Sequence, residues 1–183
     1  MNTQAATTFQ ETLIGVNIMN KSGFSHVGLS TRDMDATIDF YEEILGFSCV
    51  GKNRITIEEG GHLNQAVFDI GDGQFVAFLE SIDVPGIADQ YDTGITSDLG
   101  VPSMFYHVAF NVATLTKLTD IRSDLLAKGI QVSPIVDQGP GKSIYLKDPN
   151  QIQLEFSVEM REFNEDDASG SFTIPKHHLD PVG

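Results

Sequence analysis

One short motif occurs twice in this sequence, and the repeat constrains the fold more than any other feature. Residues 24–29 read Phe-Ser-His-Val-Gly-Leu, and residues 105–110 read Phe-Tyr-His-Val-Ala-Phe. The two histidines, His26 and His107, are separated by nearly half of the 183-residue chain. Self-similarity at such a spacing indicates repeated structural units and decides the architecture before any local pattern does. The chain is therefore expected to contain two copies of one module.

The first motif opens a regular series of predicted elements. A strand over roughly 24–30 leads into a helix that begins after Asp33 and ends at Gly46, since Asp is a common N-cap and Gly a common C-terminal residue. Its apolar stripe recurs at helical spacing and consists of Met34, Ile38, Tyr41 and Leu45. Alternating or β-rich stretches then predict three strands, near 48–57, 64–70 and 74–80.

The second motif opens the same series. A strand over 105–112 precedes a helix with Leu115, Leu118, Ile121, Leu125 and Leu126 on its apolar positions. Three strands follow, near 130–136, 142–147 and 151–158. Both halves read β-α-β-β-β, which predicts an α+β fold. The expected divisions are an N-terminal extension (1–22), a domain (23–159) of two modules (23–81 and 104–159) with a connector (82–103), and a C-terminal tail (160–183).

Composition limits the range of partners. The formal net charge is −15, so the chain is expected to bind neither nucleic acid nor anionic membrane surfaces. No apolar run approaches the roughly 20 residues of a membrane helix, and the first ten residues lack the basic start of a secretory signal. The single cysteine, Cys49, allows no internal disulfide. These features favour a cytoplasmic protein.

Side-chain alternation indicates where chemistry could occur. In each repeated strand the histidine points to the same face as the residues two positions away, so His26 and His107 are expected to face each other across a cleft. Gln151, Gln153 and Glu155 share one face of the last strand, which would bring the Glu155 carboxylate into the same cleft. Two histidines and one carboxylate with open coordination positions form the facial triad of non-haem Fe(II) enzymes, and they can also hold Mn, Ni, Co or Zn.

These residues carry a resemblance to the vicinal-oxygen-chelate superfamily, which includes glyoxalases, extradiol dioxygenases and bleomycin resistance proteins. The resemblance covers roughly residues 22–158. Its motifs are 24–27 (FSHV), 39–41 (DFY) with 45–47 (LGF), 106–110 (YHVAF), and 143–150 (SIYLKDPN) running into 154–156 (LEF). The resemblance implies two βαβββ modules that form a cupped mixed-sheet cleft with flanking helices. It also implies one divalent metal ion, with Fe²⁺ expected first, held by His26, His107 and Glu155, and it implies a homodimer.

Glyoxalases and epimerases of this superfamily resemble one another in using a fourth protein ligand late in the first module. When the two hairpins are aligned by their turns, Glu155 corresponds to the apolar Phe78. Glu80, two residues further along the same face, is the remaining candidate and would need a bulge to reach the metal. A site without the fourth ligand resembles that of extradiol dioxygenases, and Tyr145 resembles their site tyrosine. Phe68, Phe78, Phe105 and Tyr145 could supply an aromatic wall to the cleft, and equally any of them could belong to the core.

Three functions follow from the resemblance. The first is oxidative cleavage of a catechol-type small molecule by an extradiol-dioxygenase-like enzyme. The second is a lyase or isomerase of the glyoxalase or epimerase type, in which the metal polarises a carbonyl and a carboxylate removes the neighbouring proton. This function predicts that Glu80 coordinates the metal. The third is a non-catalytic protein that binds a small molecule such as an antibiotic.

Overall fold

The structure, a computed structural model, describes residues 23–169 and 174–182; the predicted N-terminal extension lies outside them. The first module comprises β1 (His26–Ser30), α1 (Met34–Asp39), β2 (Ser48–Thr56), β3 (His62–Gly71) and β4 (Gln74–Ile82). A short helix α2 (Ile95–Leu99) lies in the connector. The second module comprises β5 (His107–Asn111), α3 (Leu115–Ala127), β6 (Val136–Asp137), β7 (Gly141–Lys147) and β8 (Gln153–Glu159). In the described ranges, no helix is both long and apolar enough to span a membrane.

Each module forms its own four-stranded mixed sheet. The first sheet has the order β1-β4-β3-β2 and the second has the order β5-β8-β7-β6. In both sheets the opening strand pairs in parallel with the last strand, and the remaining pairs are antiparallel. The predicted α+β fold of two repeated modules is therefore confirmed, and the histidine-bearing strands β1 and β5 are edge strands of their sheets.

The helix of the first module begins and ends where the sequence predicts. The Asp33 carboxylate accepts the backbone N–H of Ala36 at 2.9 Å, which satisfies one of the otherwise unpaired donors of the first turn. After α1 the chain continues as a π-helical turn over Phe40–Ile44. Gly46 then adopts a φ of +76°, a left-handed conformation that glycine adopts without strain.

The helix-covered faces of both sheets share one hydrophobic core. Tyr41 is fully buried and packs on Phe68 and Phe78, with ring centroids 5.1 and 4.9 Å away. Across the module boundary, Phe47 contacts Phe110 at 5.1 Å. The second sheet adds Ile144, Leu146, Leu154 and Phe156 to the same cluster. Of the two roles that the sequence left open for Phe68 and Phe78, wall of a cleft or core, the structure shows core.

A small buried polar cluster also joins the modules. Asp148, 2% exposed, lies in the turn between β7 and β8, and one of its carboxylate oxygens accepts the Tyr41 hydroxyl at 3.4 Å. Its other oxygen accepts the backbone N–H groups of Asn150 and Ile152 at 2.9 and 2.8 Å. The Asn150 side chain donates to Thr37 of the first module at 3.1 Å. Because these groups are buried, each depends on the others for its hydrogen bonds.

One predicted strand is almost absent. The sequence suggested a strand over 130–136, whereas only Val136–Asp137 pairs with β7. Pro134 interrupts the segment and has no N–H to donate to a ladder. Ser133 holds the segment instead, because its N–H donates to the Tyr145 carbonyl at 2.9 Å and its hydroxyl accepts the Tyr145 N–H at 3.0 Å. The segment therefore crosses the sheet edge as a loop.

We predict that Asp148→Ala lowers the free energy of unfolding by about 3 kcal/mol, because it leaves several buried donors without an acceptor. Urea unfolding followed by circular dichroism measures the change. Asp120→Ala, which removes an exposed carboxylate from α3, is the charge-matched control and should change stability by less than about 0.5 kcal/mol. Equal effects of the two substitutions would show that the buried cluster does not contribute to stability.

Candidate metal centre

His107 stands at the start of β5 with its ring orientation fixed by the backbone. Its Nδ1 lies 2.8 Å from the carbonyl oxygen of Met104, three residues earlier. A carbonyl can only accept, so Nδ1 carries the hydrogen. The other ring nitrogen, Nε2, then has its lone pair available in the neutral ring. A backbone carbonyl behind one nitrogen is a common support for a histidine that binds a metal through the other.

Glu155 faces this free nitrogen. It lies on β8, adjacent to β5, and its Oε2 is 3.0 Å from His107 Nε2. The Glu155 side chain is 7% exposed, whereas that of His107 is 32% exposed, so the pair lies at the boundary between protein and solvent. The second carboxylate oxygen of Glu155 accepts a hydrogen bond from the Ser143 hydroxyl at 2.5 Å. The carboxylate is therefore held on one side by β7 and directed on the other toward His107.

Tyr145 belongs to the same polar face. It pairs with Glu155 across β7 and β8, and its hydroxyl oxygen accepts the Gln138 amide at 2.6 Å. That bond leaves the phenol proton available for Glu155. Ser143 and Ser157 lie on the same face, with their hydroxyl oxygens 3.0 Å apart. Several buried polar side chains on a sheet face indicate a site rather than a packed core.

The electrostatics of the pair follow from these contacts. The hydrogen bond to Glu155 raises the pKa of His107 and outweighs the opposing effect of burial. Burial alone would raise the pKa of Glu155, but hydrogen bonds from His107, Ser143 and Tyr145 outweigh it and lower that pKa. Burial and the nearby Glu155 charge raise the pKa of Tyr145 well above its ordinary value. The site therefore favours an ionised carboxylate beside a neutral phenol.

His26 is not part of this cluster. It opens β1 of the first sheet, is exposed, and its Nδ1 lies 3.2 Å from the Ser25 hydroxyl. Its neighbour Leu29 packs toward the shared core, so alternation directs His26 to the opposite, open face. Across residues 23–169 and 174–182, no three His, Cys, Asp or Glu side chains converge as a metal site. A single copy of the chain thus keeps His26 apart from His107 and Glu155.

Glu80 also lies away from the His107–Glu155 pair. One of its oxygens accepts the backbone N–H of Met34, the first residue of α1, at 3.2 Å. The other accepts the Asn64 amide at 2.8 Å. Glu80 thus lies on the helix-covered face of the first sheet, whereas His26 lies on its open face. Its carboxylate stabilises the start of α1.

Strand pairing identifies a different residue as the counterpart of Glu155 in the first module. In the second sheet, Glu155 pairs with Ala109, two residues after His107. In the first sheet, the residue two positions after His26 is Gly28, and it pairs with Ala77. Strand pairing therefore equates Ala77 with Glu155, and the alignment by turns, which selected Phe78, is wrong by one residue. The equivalent position carries a methyl group and no ligand atom.

A family comparison covers both modules. The sequence model of the Glyoxalase/Bleomycin resistance protein/Dioxygenase superfamily matches residues 23–156. The chain belongs to this superfamily. The family comprises enzymes as well as proteins that bind small molecules without catalysis.

The chain is also similar to one protein sequence and to several solved structures. The chain is 27% identical over 135 residues to the uncharacterized protein YwbC of Bacillus subtilis, which covers 72% of this chain and 93% of that protein. A glyoxylase/bleomycin resistance protein/dioxygenase domain from Frankia sp. aligns with a TM-score of 0.55 at 23% identity, over 75% and 97% of the two chains. A lactoylglutathione lyase from Agrobacterium tumefaciens aligns with a TM-score of 0.52 at 16% identity, over 76% and 96%. At these identities the two structures support the fold alone.

The residues present fit a divalent metal ion. His107 Nε2 stands 3.0 Å from a Glu155 carboxylate oxygen, so a metal ion could take the place of the proton that joins them when the ring is charged, and both groups have the supporting hydrogen bonds usual behind metal ligands. The pair would supply two coordination positions to such an ion. The sequence predicted that His107 and Glu155 lie together, whereas Gln138 and the Met104 carbonyl, which lie in segments without periodic patterning, were not predicted.

We predict that Glu155→Gln lowers the pKa of His107 in chelator-treated protein, because the hydrogen bond that raises it above 6.5 is weakened. Histidine NMR titration measures the shift, and Glu59→Gln, at an exposed position, should leave it unchanged. A raised folded-state pKa stabilises the fold below the unfolded pKa, and this contribution is lost as pH rises through the raised value. As pH rises through the His107 pKa, the free energy of unfolding of the wild type should therefore fall more than that of Glu155→Gln. Identical His107 titrations in the two proteins would refute the hydrogen bond between His107 and Glu155.

Proposed function

We propose that this protein is a divalent-metal-dependent enzyme whose site forms between two copies of the chain, and that it cleaves the ring of a catechol-type molecule with O₂ as extradiol dioxygenases do. The observation that carries the proposal is the three-residue ligand set: His107 and Glu155 are already paired, His26 is exposed, and Ala77 occupies the position where a fourth ligand would stand.

The arrangement of the sheets supports a site shared between copies. The modules of one chain join through their helix-covered faces, so the two open faces cannot meet within it. Both histidines lie on edge strands, β1 and β5. In a twofold dimer, β1 of one copy could lie beside β5 of the other, and symmetry would repeat the contact. Each of the two resulting sites would combine His26 of one copy with His107 and Glu155 of the other.

The two walls of such a site differ in polarity. The open face of the second sheet presents Ser143, Tyr145 and Glu155. On the first sheet, the strand register places Val67, Phe75, Ala77 and Leu79 on the open face beside His26, with the polar Gln65 and Asp69 next to them on β3. A mostly apolar wall opposite a polar, metal-binding wall suits a molecule with oxygen donors on one edge and an apolar ring on the other.

The chemistry divides between the ion and the protein. When bound, the ion would supply a charge centre that holds two neighbouring substrate oxygens and leaves room for O₂. The phenol of Tyr145 is kept neutral and accepts a hydrogen bond from Gln138, so its one proton would go to a substrate oxygen only when a bound ion takes the place of that proton at Glu155. Ser143 keeps the Glu155 carboxylate oriented. Proton transfer of the glyoxalase or epimerase type has less support, because Glu80 lies on the other face of its sheet and is engaged by Met34 and Asn64.

A mixed dimer tests whether the site is shared. We predict that His26→Ala and His107→Ala each abolish metal retention alone. A heterodimer of the two variants, purified by two different tags, should hold half the metal of the wild type, because one of its two sites combines an intact His26 with an intact His107 and Glu155. Metal per chain is measured by plasma mass spectrometry after anaerobic purification. A heterodimer without metal would place the ligands within one chain or reject the site.

Oxygen consumption tests the reaction. Protein loaded with Fe²⁺ should consume O₂ in the presence of a catechol-type substrate, and Glu155→Ala should abolish this uptake because it removes a metal ligand. Glu80→Gln is the matched carboxylate control and should retain both metal and uptake. Loss of metal in Glu80→Gln, together with turnover of an α-carbonyl substrate without O₂, would favour a lyase or isomerase. A wild type that takes up no metal would leave a binding protein.

A further inference from the structure

The C-terminal segment lies beyond the residues that the family model matches, yet it is folded against the second module. Residues 174–182 contain a 3-10 turn, Lys176–Leu179, which packs against another 3-10 turn, Ser103–Phe105. The family match ends at residue 156. The contact is therefore a feature of this chain, and it is made at the turn directly before the candidate ligand His107.

Asp180 makes the decisive contact. Its Oδ1 accepts the backbone N–H of Ser103 at 2.7 Å, across 77 residues of sequence. Ser103 begins its turn after Pro102, whose side chain forms no capping hydrogen bond. The first N–H of the turn would otherwise be left without a partner in a place where Ser103 is only 3% exposed. Asp180 thus supplies from the tail the cap that the local sequence lacks.

The capped turn holds the carbonyl that orients His107. Met104 is the middle residue of the turn, and its oxygen accepts the Nδ1 hydrogen of His107 at 2.8 Å. The turn itself is closed by the Phe105 N–H, which donates to the Pro102 carbonyl at 3.0 Å. Two hydrogen bonds therefore connect the tail to the ring: Asp180 fixes the start of the turn, and the turn fixes the imidazole.

We propose that Asp180 is a positioning residue for His107: by capping the turn 103–105 it keeps the Met104 carbonyl behind Nδ1 and so keeps Nε2 directed at the metal. The effect on metal affinity rests on the function proposed above, whereas the effect on the ring does not. Groups that orient a metal ligand from behind typically contribute 10–100-fold in affinity. Asp180 is one hydrogen bond further from the metal than such a group, so we expect its loss to weaken metal binding about tenfold, the lower end of that range.

The test measures the ring and the metal separately in the full-length protein. In metal-free protein, at a pH where the imidazole is neutral, long-range ¹H–¹⁵N NMR reports which nitrogen of His107 carries the hydrogen. Titration with Co²⁺, followed by its visible absorption, reports affinity. Asp180→Ala should increase the share of rings with hydrogen on Nε2 and weaken Co²⁺ binding about tenfold. Asp180→Asn, whose side-chain oxygen can still accept the Ser103 N–H, should restore both.

The controls separate positioning from general effects. Glu162→Ala removes an exposed carboxylate elsewhere in the tail and should change neither readout. Asp180→Glu keeps the charge but alters the reach of the carboxylate, so it should behave like Asp180→Ala and serves in its place if that variant does not fold. A wild-type tautomer in folded Asp180→Ala would overturn the inference. A wild type that binds no Co²⁺ would instead reject the metal site, and the NMR result would still decide the role of Asp180.

Discussion

The packing of the two modules through their helix-covered faces determines most of what this chain can do. Tyr41 is central to it, because its ring fills the core between Phe68 and Phe78 while its hydroxyl reaches Asp148 of the other module. Once these faces are joined, each sheet retains one open face that the other cannot cover. The candidate ligands on those faces are therefore separated in one chain, even though the repeat in the sequence makes them equivalent.

The sequence was sufficient to predict the fold because its signals are redundant. The repeated histidine motif, the Asp33 cap and the helical stripes each indicate the same element order. It was also sufficient to predict the pairing of His107 with Glu155, which needs only alternation along two strands that are neighbours in the sheet. The segment 130–136 was predicted incorrectly because its apolar residues resemble a strand, whereas Pro134 removes one of the hydrogen bonds that a strand requires.

Two features of the site could not be obtained from periodicity. The first is the pairing of each hairpin with its opening strand, which shows that the alignment by turns is one residue off; since strand alternation has a period of two, a one-residue shift exchanges the faces. Phe78 is therefore in the core, and Ala77 is the counterpart of Glu155. The second feature is the contact of Asp180 with Ser103, which joins residues far apart in sequence. Neither residue belongs to a repeating pattern that would have indicated the contact.

The edge position of β1 and β5 has a thermodynamic consequence under the proposed arrangement. A ligand that touches both copies binds the dimer and not the monomer, so ligand binding and subunit association are linked. Metal would then tighten the dimer, and dilution would release metal even where the affinity of an assembled site is unchanged. The cell could thus adjust how much protein is loaded simply through the amount of protein that it makes.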